Sequence, residues 1–191
     1  MIKYLSPTSW IAIAAVALLQ ALALASMVYG RVSLLSSGRE ITAEVIPVDP
    51  RDLFRGDYVI LGYAFGTADV DVPEGTSQGD TVYATLKPLG PGQWQVVSVA
   101  GSYPSLAGGP ENVVLKGIVS YVTRSAEGQP LKAQVRYGIE SYFVPEGTGR
   151  ALEEKVREKK ISAILAVGPS GDVAIKALDV DGERIHQEPW F

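Results

Sequence analysis

The chain is 191 residues long, with 17 basic and 21 acidic side chains, a net charge of −4, one histidine and no cysteine. Disulfides, thiolate chemistry and zinc–sulfur sites are therefore excluded, as is a multi-histidine metal centre. An acidic balance without a basic footprint argues against nucleic acid as a partner.

The first element is the uncharged run 10–29, W-I-A-I-A-A-V-A-L-L-Q-A-L-A-L-A-S-M-V-Y, in which Gln20 is the only strongly polar side chain. As a helix rising ~1.5 Å per residue it spans roughly 30 Å, the thickness of a bilayer's hydrocarbon core. Trp10 and Tyr29 place amphipathic rings at its two ends, where headgroups lie. Residues 1–30 are read as a short tail and a retained single-pass anchor, with the lipid bilayer as partner. Two other readings stay open. Ala23-Leu24-Ala25 before Ser26 resembles a signal-peptide cleavage site, and a buried core helix is disfavoured because no face is polar. Lys3 before the span and Arg31 and Arg39 after it give no clear positive-inside bias. A short leader with a large following domain points to a C-terminal domain outside the cytoplasm. Residues 31–40 are read as a linker and 41–191 as the extracytoplasmic domain.

From Ile41 onward, runs rich in Val, Ile, Tyr and Thr are punctuated by Gly, Pro, Asp and Ser. They predict strands over 41–48, 58–65, 81–87, 94–100, 113–124, 131–144, 161–168, 173–179 and 183–187. The sequences L-G-P-G-Q at 89–93 and G-P-S-G-D at 168–172 join strand pairs at hairpin distance. A short turn is expected at Asp49. One soluble helix is expected over 148–160, capped by Thr148, with Leu152 and Val156 on its apolar side. The sum is a mainly β fold, a small β-sandwich or barrel.

An internal echo runs through this domain. Val72-Pro73-Glu74-Gly75-Thr76 recurs as Val144-Pro145-Glu146-Gly147-Thr148. Each copy follows a Tyr-x-Ile-x-x-Tyr strand, Tyr58, Ile60, Tyr63 and then Tyr137, Ile139, Tyr142, and each precedes a strand–turn–strand. The pattern predicts two related β-units about a pseudo-twofold axis.

The stretch R-G-D-Y-V-I-L-G-Y, 55–63, begins with an adhesion tripeptide, but its Asp57 abuts a strand apolar on both faces. Arg55, Gly56 and Asp57 are read as the turn into a buried strand that carries Tyr58, Leu61 and Tyr63. The letters G-D-Y-V-I-L-G-Y, with Y-G-I-E-S-Y-F-V-P-E-G-T-G-R-A-L-E at 137–153 and the N-terminal anchor, resemble the GDYXXLXY family of bacterial proteins. The resemblance covers essentially the whole chain. It implies a membrane-anchored protein that accompanies polytopic membrane proteins, and it carries over no catalytic residues.

Chemistry is sparse. Tyr137, Glu140, Tyr142 and Glu146 form one polar–aromatic group, in which Glu140 can pair with Arg136 or Arg150 or face a pocket. Asp69-Val70-Asp71 and Asp179-Val180-Asp181 lack the further ligands of a calcium loop and read as polar turns. His186 has no triad context. Ser36 and Ser37 follow the span, but in a Ser-Ser-Gly-Arg-Glu setting unlike that of a Ser–Lys peptidase. The expectation is a non-enzymatic, membrane-anchored β-domain without cofactors that binds or helps assemble a membrane-protein partner. A Ser–Lys hydrolase and a small-ligand sensor with its pocket near Tyr63, Tyr142 and Glu140 are the alternatives.

Overall fold

The computed structural model describes residues 7–47, 58–105, 108–123, 130–143, 152, 154–156, 158 and 161–187. A long helix, α1 (Pro7–Ser37), leads into β1 (Arg39–Glu44). Then follow β2 (Tyr58–Ile60), a single-turn helix α2 (Ala64–Thr67), β3 (Val70–Val72), β4 (Thr81–Gly90), β5 (Gln93–Ala100) and β6 (Val113–Thr123). β7 (Leu131–Arg136), β8 (Ser141–Phe143), β9 (Ile161–Val167), β10 (Val173–Val180) and β11 (Glu183–Gln187) complete the chain. The fold is mainly β, as its turn-punctuated Val/Ile/Thr runs predict.

The strands form three antiparallel sheets, in the orders β3-β7-β6-β4-β5, β1-β9-β10-β11 and β2-β8. The five-stranded sheet curls until its edges β3 and β5 approach each other, which makes it nearly a barrel. Inward side chains of all three sheets meet in one apolar core that includes Ile41, Val45, Leu61, Tyr63, Leu86, Leu115, Ile139 and Leu165. Alternation decides which faces enter it: in β1, Ile41 and Ala43 are buried while Glu40 and Thr42 are exposed. Leu152 and Val156 are buried on the helical turn that carries residues 154–156, as the expected apolar stripe requires.

Registers establish the two related units. Hairpins β4–β5 and β9–β10 each lie beside the first strand of the other unit: β4 pairs with β6, and β9 with β1. At the first tip, Gly92 C=O accepts the Glu44 N–H at 2.7 Å, and Gln93 Nε2 donates to Glu44 Oε2 at 3.2 Å. At the second, Gly171 C=O accepts the Lys116 N–H at 2.8 Å, and Lys116 Nζ donates to Asp172 Oδ1 at 3.2 Å. Both glycines have positive φ, 73° and 87°, and an added Cβ would lie 3.3 Å from Glu44 N and 3.2 Å from Lys116 N. Only glycine supplies both that backbone and that approach. The repeated tyrosine strands meet each other: β2 pairs with β8, and the Leu61 N–H donates to the Glu140 C=O at 2.9 Å. Leu61 and Glu140 are the positions the repeat equates, so the local dyad passes between them.

Four expectations need revision. Residues 31–40 are not a separate linker: α1 runs on through Gly30 to Ser37, and β1 starts at Arg39. The run 131–144 is two strands, broken where Gly138 takes a φ of 79°. The run 58–65 ends early, because Phe65 lies on α2, whose turn is closed by Gly66 and Thr67 N–H bonds to the Tyr63 C=O. β3 was not expected at all, although it is one edge of the near-barrel. The turn at Asp49, the Thr148 cap and the second Val-Pro-Glu-Gly-Thr lie outside the described residues.

Candidate functional site

Of the residues singled out in the sequence, the structure brings Leu61, Tyr63, Tyr137, Glu140 and Tyr142 together. Arg55, Gly56, Asp57 and Glu146 lie outside the described residues, and Tyr58 is placed by its backbone, opposite Phe143. Leu61 is 1% exposed and Tyr63 2%, and Tyr137 and Tyr142 are also buried. Phe65 stacks on Tyr63 at 5.2 Å between ring centroids and meets Tyr137 edge-on at 5.6 Å. The Tyr63 hydroxyl donates to the Ile139 C=O at 3.1 Å, which ties the β2 strand to the β8 side of the dyad.

Glu140 makes a local contact with the backbone. Its Oε1 accepts the Tyr137 N–H at 2.6 Å, closing the turn around Gly138. Burial pushes the Tyr63 and Tyr137 phenols well above their ordinary range, and the nearby Glu140 charge adds to this. Neither phenol ionises near neutral pH, so neither is poised as a base. The Tyr137 hydroxyl is buried without a hydrogen-bond partner, a cost of about 1–3 kcal/mol. Sequence reasoning had no signal for that orphan, because it depends on what packs around the ring tip.

Two clefts lie elsewhere, where α1 meets the β-domain. One, of about 470 Å³, lies between the α1 residues Tyr29, Gly30, Arg31 and Ser33 and the β9–β10 tip residues Ser170 and Asp172. The other, of about 450 Å³, is lined by Arg39, Tyr103, Asn112 and Pro169 among others. Arg39 is engaged there: its guanidinium donates to the carbonyls of Pro110, Asn112 and Glu111 at 3.0–3.1 Å. In the first cleft, the Ser170 hydroxyl at 2.6 Å and Lys116 Nζ hold the Asp172 carboxyl below the usual carboxylate range. G-P-S-G-D was legible as a turn, but nothing in its letters said that a helix would stand against it.

Residues 20–178 match the family described as GDYXXLXY protein. The chain belongs to that family. No curated protein and no solved structure matches it. In this GDYXXLXY protein the described part of the naming motif is interior: Leu61 and Tyr63 fill the core, and their backbone and hydroxyl bond across the dyad. Spacing of two between them puts both on one face of the extended chain, which is what a buried strand requires. Among the described residues no three His, Asp or Glu side chains converge as a metal site. Asp181 instead forms the β10–β11 turn at φ 56° and accepts a salt bridge from Lys155 at 2.9 Å. Ser36 and Ser37 both donate to the Ser33 C=O, as ordinary helix hydroxyls do.

Proposed function

We propose that this GDYXXLXY protein is a single-pass, membrane-anchored β-domain that lies outside the cytoplasm and binds or helps assemble a membrane-protein partner, without catalysis of its own. The observation that carries the reading is α1 itself. It is 31 residues long, its most apolar stretch is entirely unburied by the rest of the chain, and it enters β1 through Gly38 alone. A helix so apolar all round needs lipid or protein to cover it.

The outer face of the five-stranded sheet supports the partner half of the proposal. A bulge between Val119 and Tyr121 turns Tyr121 to the same side as Ile118, and the two side chains are 57% and 50% exposed. Tyr83, on the neighbouring strand, meets Tyr103 edge-on at 5.7 Å and extends the aromatic surface. Exposed aromatic groups of this kind are favoured at protein interfaces.

Photo-crosslinking from position 121 in membranes, followed by mild-detergent purification, tests this. A crosslinked integral membrane protein is the expected product; recovery of the chain as a lone monomer counts against the partner. A reporter fused at the C-terminus reads the side of the membrane, and a signal from the cytoplasmic side overturns the orientation.

A further inference from the structure

Gln20 stands in the middle of the apolar run of α1, between Trp10 and Tyr29. At ~1.5 Å per residue it lies roughly 14–15 Å from either end, the midplane of a hydrocarbon core about 30 Å thick. The residue is exposed, so the β-domain does not cover it. A primary amide at that depth has neither water nor headgroup within reach, and a polar group on a neighbouring helix is what satisfies it.

Its direction around α1 is set by the residues that dock the domain. Leu35 is buried, and an added Cβ on Gly168, at the β9–β10 tip, would lie 3.1 Å from Leu34 Cδ1. The seven-residue steps Gln20, Met27 and Leu34 run along one side of the helix and drift by about 20° per heptad. Over two heptads this turns Gln20 about 40° from Leu34, toward Leu35. Gln20 thus points to the side of α1 on which the β-domain stands. The opposite side of the span is apolar, with Ile11, Leu18 and Leu22 exposed and Tyr29 at its end. That side suits lipid.

Resting on the membrane-anchored, partner-binding reading above, we infer that the Gln20 side of α1 is the docking face for a transmembrane helix of another protein. That helix carries a hydrogen-bonding side chain near the bilayer midplane, opposite the Gln20 amide, and ends at the bilayer surface beneath the β9–β10 tip. Height permits this, because residues 30–37 rise about 12 Å past Tyr29 and hold the tip clear of the hydrocarbon. A second copy of this chain does not fit. Packed on the same face at about 8–10 Å between axes, it would drive its own β-domain into the space the first one fills.

Leu22 and Leu24 separate the two sides at nearly one depth, since they lie about 200° apart around the helix. A photoreactive residue replaces one or the other in the full chain, and crosslinks formed in membranes are identified by mass spectrometry. Position 24 is expected to capture an integral membrane protein through a transmembrane segment with a polar side chain at mid-span, and position 22 to capture none. Gln20→Leu makes the span more apolar and keeps it inserted, yet should lower recovery of that protein in mild detergent by about threefold to tenfold. Equal capture from both positions, a captured segment without a polar side chain, a crosslink to a second copy, or unchanged recovery with Gln20→Leu overturns the docking face. Silence from position 24 while position 121 still captures a partner overturns the face alone; silence from both overturns the partner reading as well.

Discussion

At the tip of β4–β5, Gly92 takes the amide hydrogen of Glu44 and Gln93 reaches the Glu44 carboxylate; at the tip of β9–β10, Gly171 takes that of Lys116 and Asp172 reaches the Lys116 ammonium. The backbone contacts are the same within 0.1 Å, while the side-chain pair has exchanged a carboxylate–amide bond for an ion pair. What the two tips share is what a glycine in the left-handed region can do beside another strand. What they do not share is what each meets beyond it, and only the second stands against α1. The frame is thus held by main-chain geometry, and the side chains at the tips are left to local duties.

The equivalence of Glu44 with Lys116 also equates Val45 with Gly117. In the first unit that position is a fully buried valine; in the second it is a glycine, because Val135, the Arg136 carbonyl and the Tyr137 ring occupy the space. Gly117→Val, which copies one unit into the other, should therefore destabilise the full chain in detergent by about 3 kcal/mol or more. Chemical unfolding followed by tryptophan fluorescence measures it, and a cost below about 1 kcal/mol would break the equivalence. Next come Gly92→Ala and Gly171→Ala. Each should cost about 1–3 kcal/mol by the same assay, and the two should agree closely, since φ and approach agree. A gap of more than about 1 kcal/mol would mean that the tips are held differently.

The aromatic junction at the dyad offers a finer contrast. Tyr63→Phe removes a hydroxyl bonded to the Ile139 carbonyl and should cost about 1 kcal/mol. Tyr137→Phe removes a buried hydroxyl without a partner and should be neutral or stabilising by up to about 1 kcal/mol. If Tyr137→Phe proves the more harmful, its hydroxyl has a role that packing does not explain. The smallest effect belongs to the ion pair. The folded-state value of Asp172 is depressed, so its ionised form contributes stability at neutral pH, and that contribution is lost as the pH falls below about 4. Because the side chain is half exposed, Asp172→Asn should flatten the acid limb of the stability profile by only about a few tenths of a kcal/mol.

Much of the frame was legible because it is written locally. Alternating β-branched residues and Gly/Pro turns gave β4–β5, β9–β10 and β11, and the repeated tyrosine strands announced the two units. The revisions share a cause in distant contacts. Ala64-Phe65-Gly66-Thr67 has no strong helical signal of its own; the turn forms where Phe65 wedges between Tyr63 and Tyr137. β3 is three residues long and is fixed by pairing with β7, some sixty residues away. The tyrosines and Glu140 lie near one another in the sequence pattern, but whether such a group lines a cavity or fills a core turns on packing that spacing does not encode. Conversely, Arg31 was read only as a charge flanking the apolar run, and Ser170 and Asp172 only as parts of a hairpin turn, because only the fold brings that turn to α1.

Between the last turn of α1 and the first strand there is only Gly38, whose N–H bonds to the Leu34 C=O and whose position leaves no room for a side chain beside that carbonyl. So short a joint couples the bearing of the domain to that of the helix that carries it. Since a helix turns about 100° per residue, one amino acid inserted between Tyr29 and Leu34 would rotate the apolar stretch of α1 by that amount relative to the Ile118–Tyr121 surface.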